Sequence, residues 1–410
     1  MSTRMAAVDA QFYWMSAKVP SDQFLLYAFD GEPTDVRRAA DEVAARAQAC
    51  RHLTMRVEDG CALTYPRWVP TAAEHPHLHH LADDSWHGCL DAVVELARHQ
   101  LDVRRAPWRL HMFARVRGIP GGSGPGTVAV MQVAHALADG SRASALAGWL
   151  FGRATPVPDV ASGRSGFLPR RAFDAARTHR QLVSDTRAGL LGGSLSPRPP
   201  LATNVRPAGA RAVRTLLRHR AQLRGPTVTV AVLAAVSDAL DRHLGDSDGS
   251  LIAEVPIAKP DVPHANNNFH NVTVGLYPDL SPDARKERIA ADLTAARRRA
   301  RHPAARAADR AVAAVPAPVL RWGVNRFDPD VRPARVSGNT VVSSVYRGPD
   351  GLHFGGVPVL LTAGYPALSP AMGLTHGVHG IGDVVAVSVH AAQSAIGDID
   401  AYVQLLDAQL

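Results

Sequence analysis

The stretch TVAVMQVAHALADGSRASALAGWL, residues 127–150, decides how the chain is read. Its first part, 127–136, is a run of alternating apolar residues that reads as a strand and carries His135 at its end. Asp139 and Gly140 follow after a short interval, and the small-residue segment from 141 begins a helix. A neutral histidine at a strand end deprotonates an alcohol or amine when its ring is held in one tautomer. Asp139 lies across a turn, where it can orient His135 or pair with an arginine. Gly140 lets the backbone turn sharply beside a substrate channel. By itself this spacing is a weak signal, and a satisfied core histidine is the default reading.

Outward from this stretch, strands and helices alternate. Residues 23–31 read as a strand closed by a turn, and 34–50 as a helix capped by Thr34 or Asp35 with Val36, Ala39, Ala40, Val43 and Ala47 on one face. Residues 90–101 form a second amphipathic helix and 108–116 a strand, joined to the 127–136 strand by a Gly/Pro-rich loop. Residues 152–210 change to Pro, Arg, Ser and Gly, with a helical stretch near 170–190, and read as a crossover. Beyond it, 227–244 and 281–302 read as helices, 251–257 and 271–277 as strands, and three more strands precede a C-terminal helix. The expected division is 1–160, a linker at 161–208, and 209–410. The expected class is α/β or α+β, with a mixed sheet in each half.

Composition narrows the function classes. The chain has 410 residues, 46% hydrophobic and 20% charged, which suits a globular protein with a substantial core. No run reaches the ~18 apolar residues of a membrane span. Asp9 and Gln11 interrupt the N-terminus before an apolar leader develops, so the cytoplasm is the expected location. Three cysteines, Cys50, Cys61 and Cys89, lack disulfide or zinc spacing and read as small buried hydrophobes. A net charge of +8 favours anionic partners such as a CoA thioester, an acidic carrier protein or a lipid surface. No nucleic-acid-binding motif accompanies it, so nucleic acid is not an expected partner.

Six stretches, in order along the chain, resemble the bacterial wax ester synthase/diacylglycerol acyltransferase family. That family belongs to the CoA-dependent acyltransferase superfamily, with chloramphenicol acetyltransferase and peptide-synthetase condensation domains. AVDAQFYWM is similar to the family's N-terminal PLDxxFL segment, LDVRRAPWRLHMF to its LDRxRPLW segment, and VMQVAHALADGSRA to its HHxxxDG segment. TVTVAVLAAVSDALDRHL resembles its TVNDVVLAAV helix, and IAEVPIAKP with NNNFHNVTVGLYPDL its VPVSLR and GN segments. SSVYRGPDGLHFGGVPV resembles its SNVPGP segment. The resemblance implies two chloramphenicol-acetyltransferase-like domains with a channel at their interface. It implies that His135 is a general base which activates an acceptor hydroxyl for direct attack on an acyl thioester, with no acyl-enzyme. It gives Asp139 a structural salt bridge to an arginine. It calls for no cofactor: acyl-CoA or an acyl carrier protein is a substrate, the acceptor is a lipid or small-molecule alcohol, and membrane contact is at most peripheral. Amide formation of the condensation type, or a catalytically silent homologue that binds a carrier protein or acyl chain, are the alternatives.

This sequence departs from the family pattern in three places. Ala134 stands at the first histidine, Thr229-Val230 replaces ND, and Ser344 stands at the SNVPGP asparagine with one residue inserted after it. The departures suit a specialised acceptor from a biosynthetic route, or loss of activity. Ser344 is a candidate donor to the thioester oxyanion, or a strand-end serine bonded to its own backbone. Asn266, Asn267, Asn268 and Asn271 are candidates for a substrate path, with Asn271 taken as a substrate-binding residue, or plain turn chemistry. His376 and His379, in the glycine-rich MGLTHGVHGIGD, read as a solvent-exposed hairpin. The histidines of 74–87 make a metal site conceivable, but an extended surface segment is the simpler reading, as are a solvated helix end for Arg297–Arg299 and core packing for Trp14, Trp86, Trp108 and Trp149.

Overall fold

A computed structural model describes residues 2–161, 166–245, 250–261 and 263–410. Residues 162–165, inside the expected crossover, lie outside the described residues.

In the first half, α1 (Ala7–Ser16) leads to β1 (Gln23–Phe29), α2 (Val36–Ala49), β2 (His77–His79), α3 (Trp86–Leu96), β3 (Trp108–Val116), β4 (Gly126–Val133) and α4 (Gly140–Leu150). Every residue of β4 is buried, because both faces of its sheet are covered. Ala129, Met131 and Val133 pack with α2 and α4 residues such as Val43 and Leu146. Val128 and Val130 point the other way, toward Leu90 and Val93 of α3 and toward Val213 and Ala386 of the second half. The caps follow residue chemistry: Asp35 accepts from the Arg38 N–H, as one of the two expected caps, and Ser85 caps α3. That cap starts α3 at Trp86, four residues before the expected helix. A short sheet of Thr3–Arg4, Met55–Glu58 and Arg67–Pro70 lies beside α1.

The crossover holds α5 (Leu168–Arg187). The second half continues with β5 (Arg211–His219), α6 (Val228–Leu244), β6 (Ile252–Ala258), β7 (Phe269–Gly275), α7 (Pro282–Ala300), α8 (Pro303–Ala313) and α9 (Ala317–Arg326). It ends with β8 (Thr340–Tyr346), β9 (His353–Phe354), β10 (Val357–Gly364), β11 (Leu374–Ile381), β12 (Val384–Ala392) and α10 (Ile399–Asp407). Two six-stranded mixed sheets result. Their orders are β9-β10-β1-β4-β3-β2 and β7-β6-β8-β11-β12-β5.

The first sheet draws on both sides of the expected boundary at 209. β9 and β10, residues 353–364 of the second half, belong to it, with Thr362 opposite Tyr27 and Gly364 opposite Leu25. β1 is thereby paired on both sides instead of exposing an edge, and Leu361 and Ala363 enter the core with Leu26 and Phe113.

A correction concerns MGLTHGVHGIGD. It is no exposed hairpin. β11 lies between β8 and β12, all eight of its residues are buried, and His376 is fully covered. The glycines that suggested a loop serve close packing. A Cβ on Gly377 would lie 2.1 Å from the Gly364 carbonyl oxygen, where the two sheets meet. Cys61 is exposed, unlike buried Cys50 and Cys89. Trp108 is a core residue, with its Nε1–H donating to the Leu53 carbonyl, while Trp14, Trp86 and Trp149 are only partly buried. No helix among the described residues is long and apolar enough to cross a membrane.

Candidate functional site

β4 ends at Val133, two residues before His135, so the histidine sits on the turn beyond the strand. The turn closes when the Leu137 N–H donates to the Ala134 carbonyl, and Asp139 then caps α4 by accepting from the Arg142 N–H at 2.8 Å. Gly140 is the first residue of α4. A Cβ there would stand 3.3 Å from Val345 Cγ2 of β8, so the missing side chain lets the second sheet approach.

The loop 265–268 of the second half lies along this turn. The Asn267 amide donates to the His135 carbonyl at 2.8 Å, and the Asn266 amide to the Ala136 carbonyl at 3.3 Å. The Asp139 N–H donates to the Asn266 carbonyl at 3.2 Å, and the Asn268 N–H to Asp139 Oδ2 at 2.8 Å. Asp139 is therefore structural, but it holds backbone N–H groups. Among the described residues no arginine forms an ion pair with it, which corrects the expected salt bridge.

His135 Nδ1 lies 2.7 Å from Asn267 Oδ1. Both Asn267 amide hydrogens are committed, one to the His135 carbonyl and one to Asp9 Oδ1 at 2.9 Å, so its oxygen faces the ring. The proton of the neutral ring therefore belongs on Nδ1. Nε2 keeps its lone pair, has no protein partner among the described residues, and remains accessible. Phe12 stacks on the ring with centroids 4.1 Å apart and planes 4° from parallel, and Phe269 tilts against it at 5.7 Å. Burial pushes the His135 pKa below the ordinary histidine value, against its own carbonyl, Asn267 and the charge of Asp139. The result is a neutral, oriented imidazole with one open nitrogen.

Asp9 of α1 is almost fully buried beneath this loop. It accepts from the Asn266 and Asn267 backbone N–H groups, at 2.9 and 3.0 Å, as well as from the Asn267 amide. Burial raises its pKa to about 6, against those three hydrogen bonds and the nearby Arg142 charge.

The other expected site residues lie elsewhere. The Ser344 hydroxyl pairs with Thr229 of α6 at 2.8 Å, and Val342 on the same strand face is in the core with that helix. Ser344 thus points away from the face on which Val345 meets Gly140. Neither its oxyanion role nor its backbone-bonded alternative is what the structure shows. Instead, two of the three family departures are hydrogen-bonded to each other. Ser343 shares the Val345 face, and its hydroxyl has no partner among the described residues. Asn271 donates to Glu254 Oε1 and lines a cavity of about 310 Å³ bounded by β7, residues 193–195 and the end of α7. In the 74–87 segment, His79 meets buried His111 at 2.9 Å, and among the described residues no group of three or more His, Cys, Asp or Glu is placed to hold a metal. Arg299 donates to Thr186 and to the Gly192 carbonyl, so it is a packing residue rather than a purely solvated one.

Sequence reasoning missed Asp9, Phe12 and Phe269, and left Asn267 among several loop residues. The first two occupy the D and F positions of the PLDxxFL-like segment, so that likeness was the available signal.

No protein-family model matches the chain, and no curated protein matches it. Solved structures do resemble it. The wax ester synthase/diacylglycerol acyltransferase from Marinobacter aquaeolei VT8 superposes with a TM-score of 0.66 at 19% identity, covering 99% of this chain and 98% of that one. A starter condensation domain of rhizomide synthetase, a mutant in complex with C8-CoA and Leu-SNAC, gives 0.63 at 12% identity, with 100% and 93% covered. The first condensation domain of the CDA synthetase gives 0.62 at 15%, with 100% and 96% covered. The chain has the two-lobed fold of these acyltransferase and condensation structures along its whole length.

Proposed function

We propose that the protein is an acyltransferase that moves an acyl group from a CoA or carrier-protein thioester to a hydroxyl acceptor, with His135 as general base. One observation carries the reading: His135 is neutral, its Nδ1–H is committed to Asn267, and its Nε2 is open, on a fold shared with acyl-transferring structures. Nε2 takes the acceptor proton as the acceptor oxygen attacks the thioester carbonyl. The tetrahedral intermediate then expels the thiolate, which recovers the proton from the imidazolium. No bond to the protein forms at any stage. The Phe12 stack holds the ring in plane for both transfers. Asn271 is proposed as a substrate-binding residue of a separate cavity, apart from the chemistry at His135.

The same base would serve an amine, and the similarity to condensation domains over 100% of the chain supports amide formation as the second reading. The two separate in a single experiment. The protein is incubated with acyl-CoAs of graded length and a mixed panel of alcohols and amines, and thiol release and product mass are followed. Acceptor-dependent thiol release with an ester product supports the first reading, and an amide product the second. Acyl-CoA binding without turnover for any acceptor points to a silent homologue or to a carrier-protein donor, which a carrier-loaded thioester then decides.

A further inference from the structure

We infer that Asp9 is a positioning residue: through Asn267 it fixes which nitrogen of His135 carries the proton, and so makes the base depend on docking of the second half against the first. This rests on His135 as the base.

The chain of contacts has a polarity at every link. Asp9 is 2% exposed and ionised at neutral pH, and an ionised carboxylate only accepts. It takes the Asn267 side-chain N–H, which leaves the Asn267 oxygen to face His135 Nδ1. That oxygen also only accepts, so Nδ1 must donate and Nε2 must be bare. The backbone N–H groups of Asn266 and Asn267 hold both oxygens of Asp9, which keeps the carboxylate from turning away. The three partners come from distant parts of the chain: Asp9 and Asn267 are 258 positions apart, and Asn267 and His135 are 132 apart. Separating the halves removes the Asn267 oxygen from Nδ1 and leaves the ring only its own backbone carbonyl as a partner.

An amide at position 9 reverses the polarity. Its NH₂ opposes a donor wherever it sits, the Asn266 N–H at the Oδ2 position or the Asn267 donors at the Oδ1 position; in the second case the Asn267 amide turns, presents its nitrogen to Nδ1, and drives the proton to Nε2. The base is then blocked although every side chain remains in place.

The test is ¹⁵N NMR of histidine-labelled full-length protein at a pH where the ring is neutral, with the His135 signals identified by their loss in His135→Ala. The wild type should show Nδ1 protonated and Nε2 bare. Asp9→Asn should shift the ring to the Nε2–H form and lower kcat on the order of 10²-fold with KM little changed. The reciprocal variant Asp9→Asn/Asn267→Asp supplies an acceptor to Nδ1 again and should restore the Nδ1–H form. It also serves as the deciding variant if Asp9→Asn alone does not fold. A folded Asp9→Asn protein with the wild-type tautomer overturns the inference, as does a reciprocal variant whose ring carries its proton on Nε2. The tautomer is read without substrate. The expected NMR pattern in a protein that transfers no acyl group would therefore uphold the role of Asp9 and discard the acyltransferase reading.

Discussion

His135 and His376 both lie on or just beyond strands in the interior of their halves, and burial lowers the pKa of each. His376, at the centre of the second sheet, has both ring nitrogens committed, Nδ1 to the Thr340 hydroxyl at 2.8 Å and Nε2 to the Tyr402 hydroxyl at 2.9 Å. His135 has one nitrogen committed and one open. The first is the satisfied core histidine, and the second has the same preparation with one valence left for chemistry. Neutrality and orientation are shared, so neither marks a base. A nitrogen that is both unfilled and accessible does: His379 Nδ1 and His390 Nε2 also lack partners, but both are buried.

Substitutions at the two rings should separate along that line. The largest effect is at the open ring: His135→Ala should lower kcat by about 10²- to 10⁴-fold with the fold intact by circular dichroism. Asn267→Ala, which releases Nδ1 and leaves Asp9 without its amide partner, should cost on the order of 10²-fold in kcat. At the committed ring the effect changes kind. His376→Ala leaves the Tyr402 hydroxyl without its partner in the core, leaves Thr340 only backbone carbonyls, and opens a cavity, so urea unfolding should report a loss of about 2–4 kcal/mol. Turnover per folded molecule should be unchanged, and a kinetic defect there would blur the distinction.

The acid limb of stability sharpens it further. Burial lowers the His376 pKa from 6.5 to about 3, so between those values the unfolded chain binds the proton and the folded chain does not. Stability from this group is complete above 6.5 and is lost as pH falls toward 3, about 5 kcal/mol across the window. Asp9 runs the other way. Its pKa rises from 3.8 to about 6, so its ionisation costs the fold about 3 kcal/mol as pH increases through that range. His376→Ala should flatten the rise of unfolding free energy with pH by up to about 1.4 kcal/mol per unit between pH 4 and 6. The smallest effect is expected at Ser344. Ser344→Ala removes one hydrogen bond to Thr229, should cost about 1 kcal/mol in stability, and should leave kcat alone. A large kinetic loss there would return it to the site.

The sequence displayed the elements near the site well. The alternating run before His135, the helix that begins just after Gly140 and the apolar stripe of α6 are local patterns, and local patterns are what periodicity reports. The likeness to an acyltransferase family carried the two-lobed fold. What escaped was tertiary. β11 looked like a loop because Gly377 and Gly380 interrupt it, whereas the structure uses Gly377 for close approach of the two sheets. The transfer of β10 to the other sheet leaves no mark in its own residues. Ser344 was placed by position in a motif that carries an insertion, and the alternation of a strand put it on the wrong face. Asp9 and Asn267 meet across 258 positions, and no spacing rule reaches that far.

The most direct test of His135 as the base is chemical rescue. In His135→Ala the ring leaves a slot between Phe12 and Phe269 that is shaped for a free imidazole. Acceptor-dependent thiol release from acyl-CoA should be lost in this variant and partly restored by added imidazole, with no gain in the wild type. A His135→Ala protein that keeps wild-type turnover would contradict the assignment.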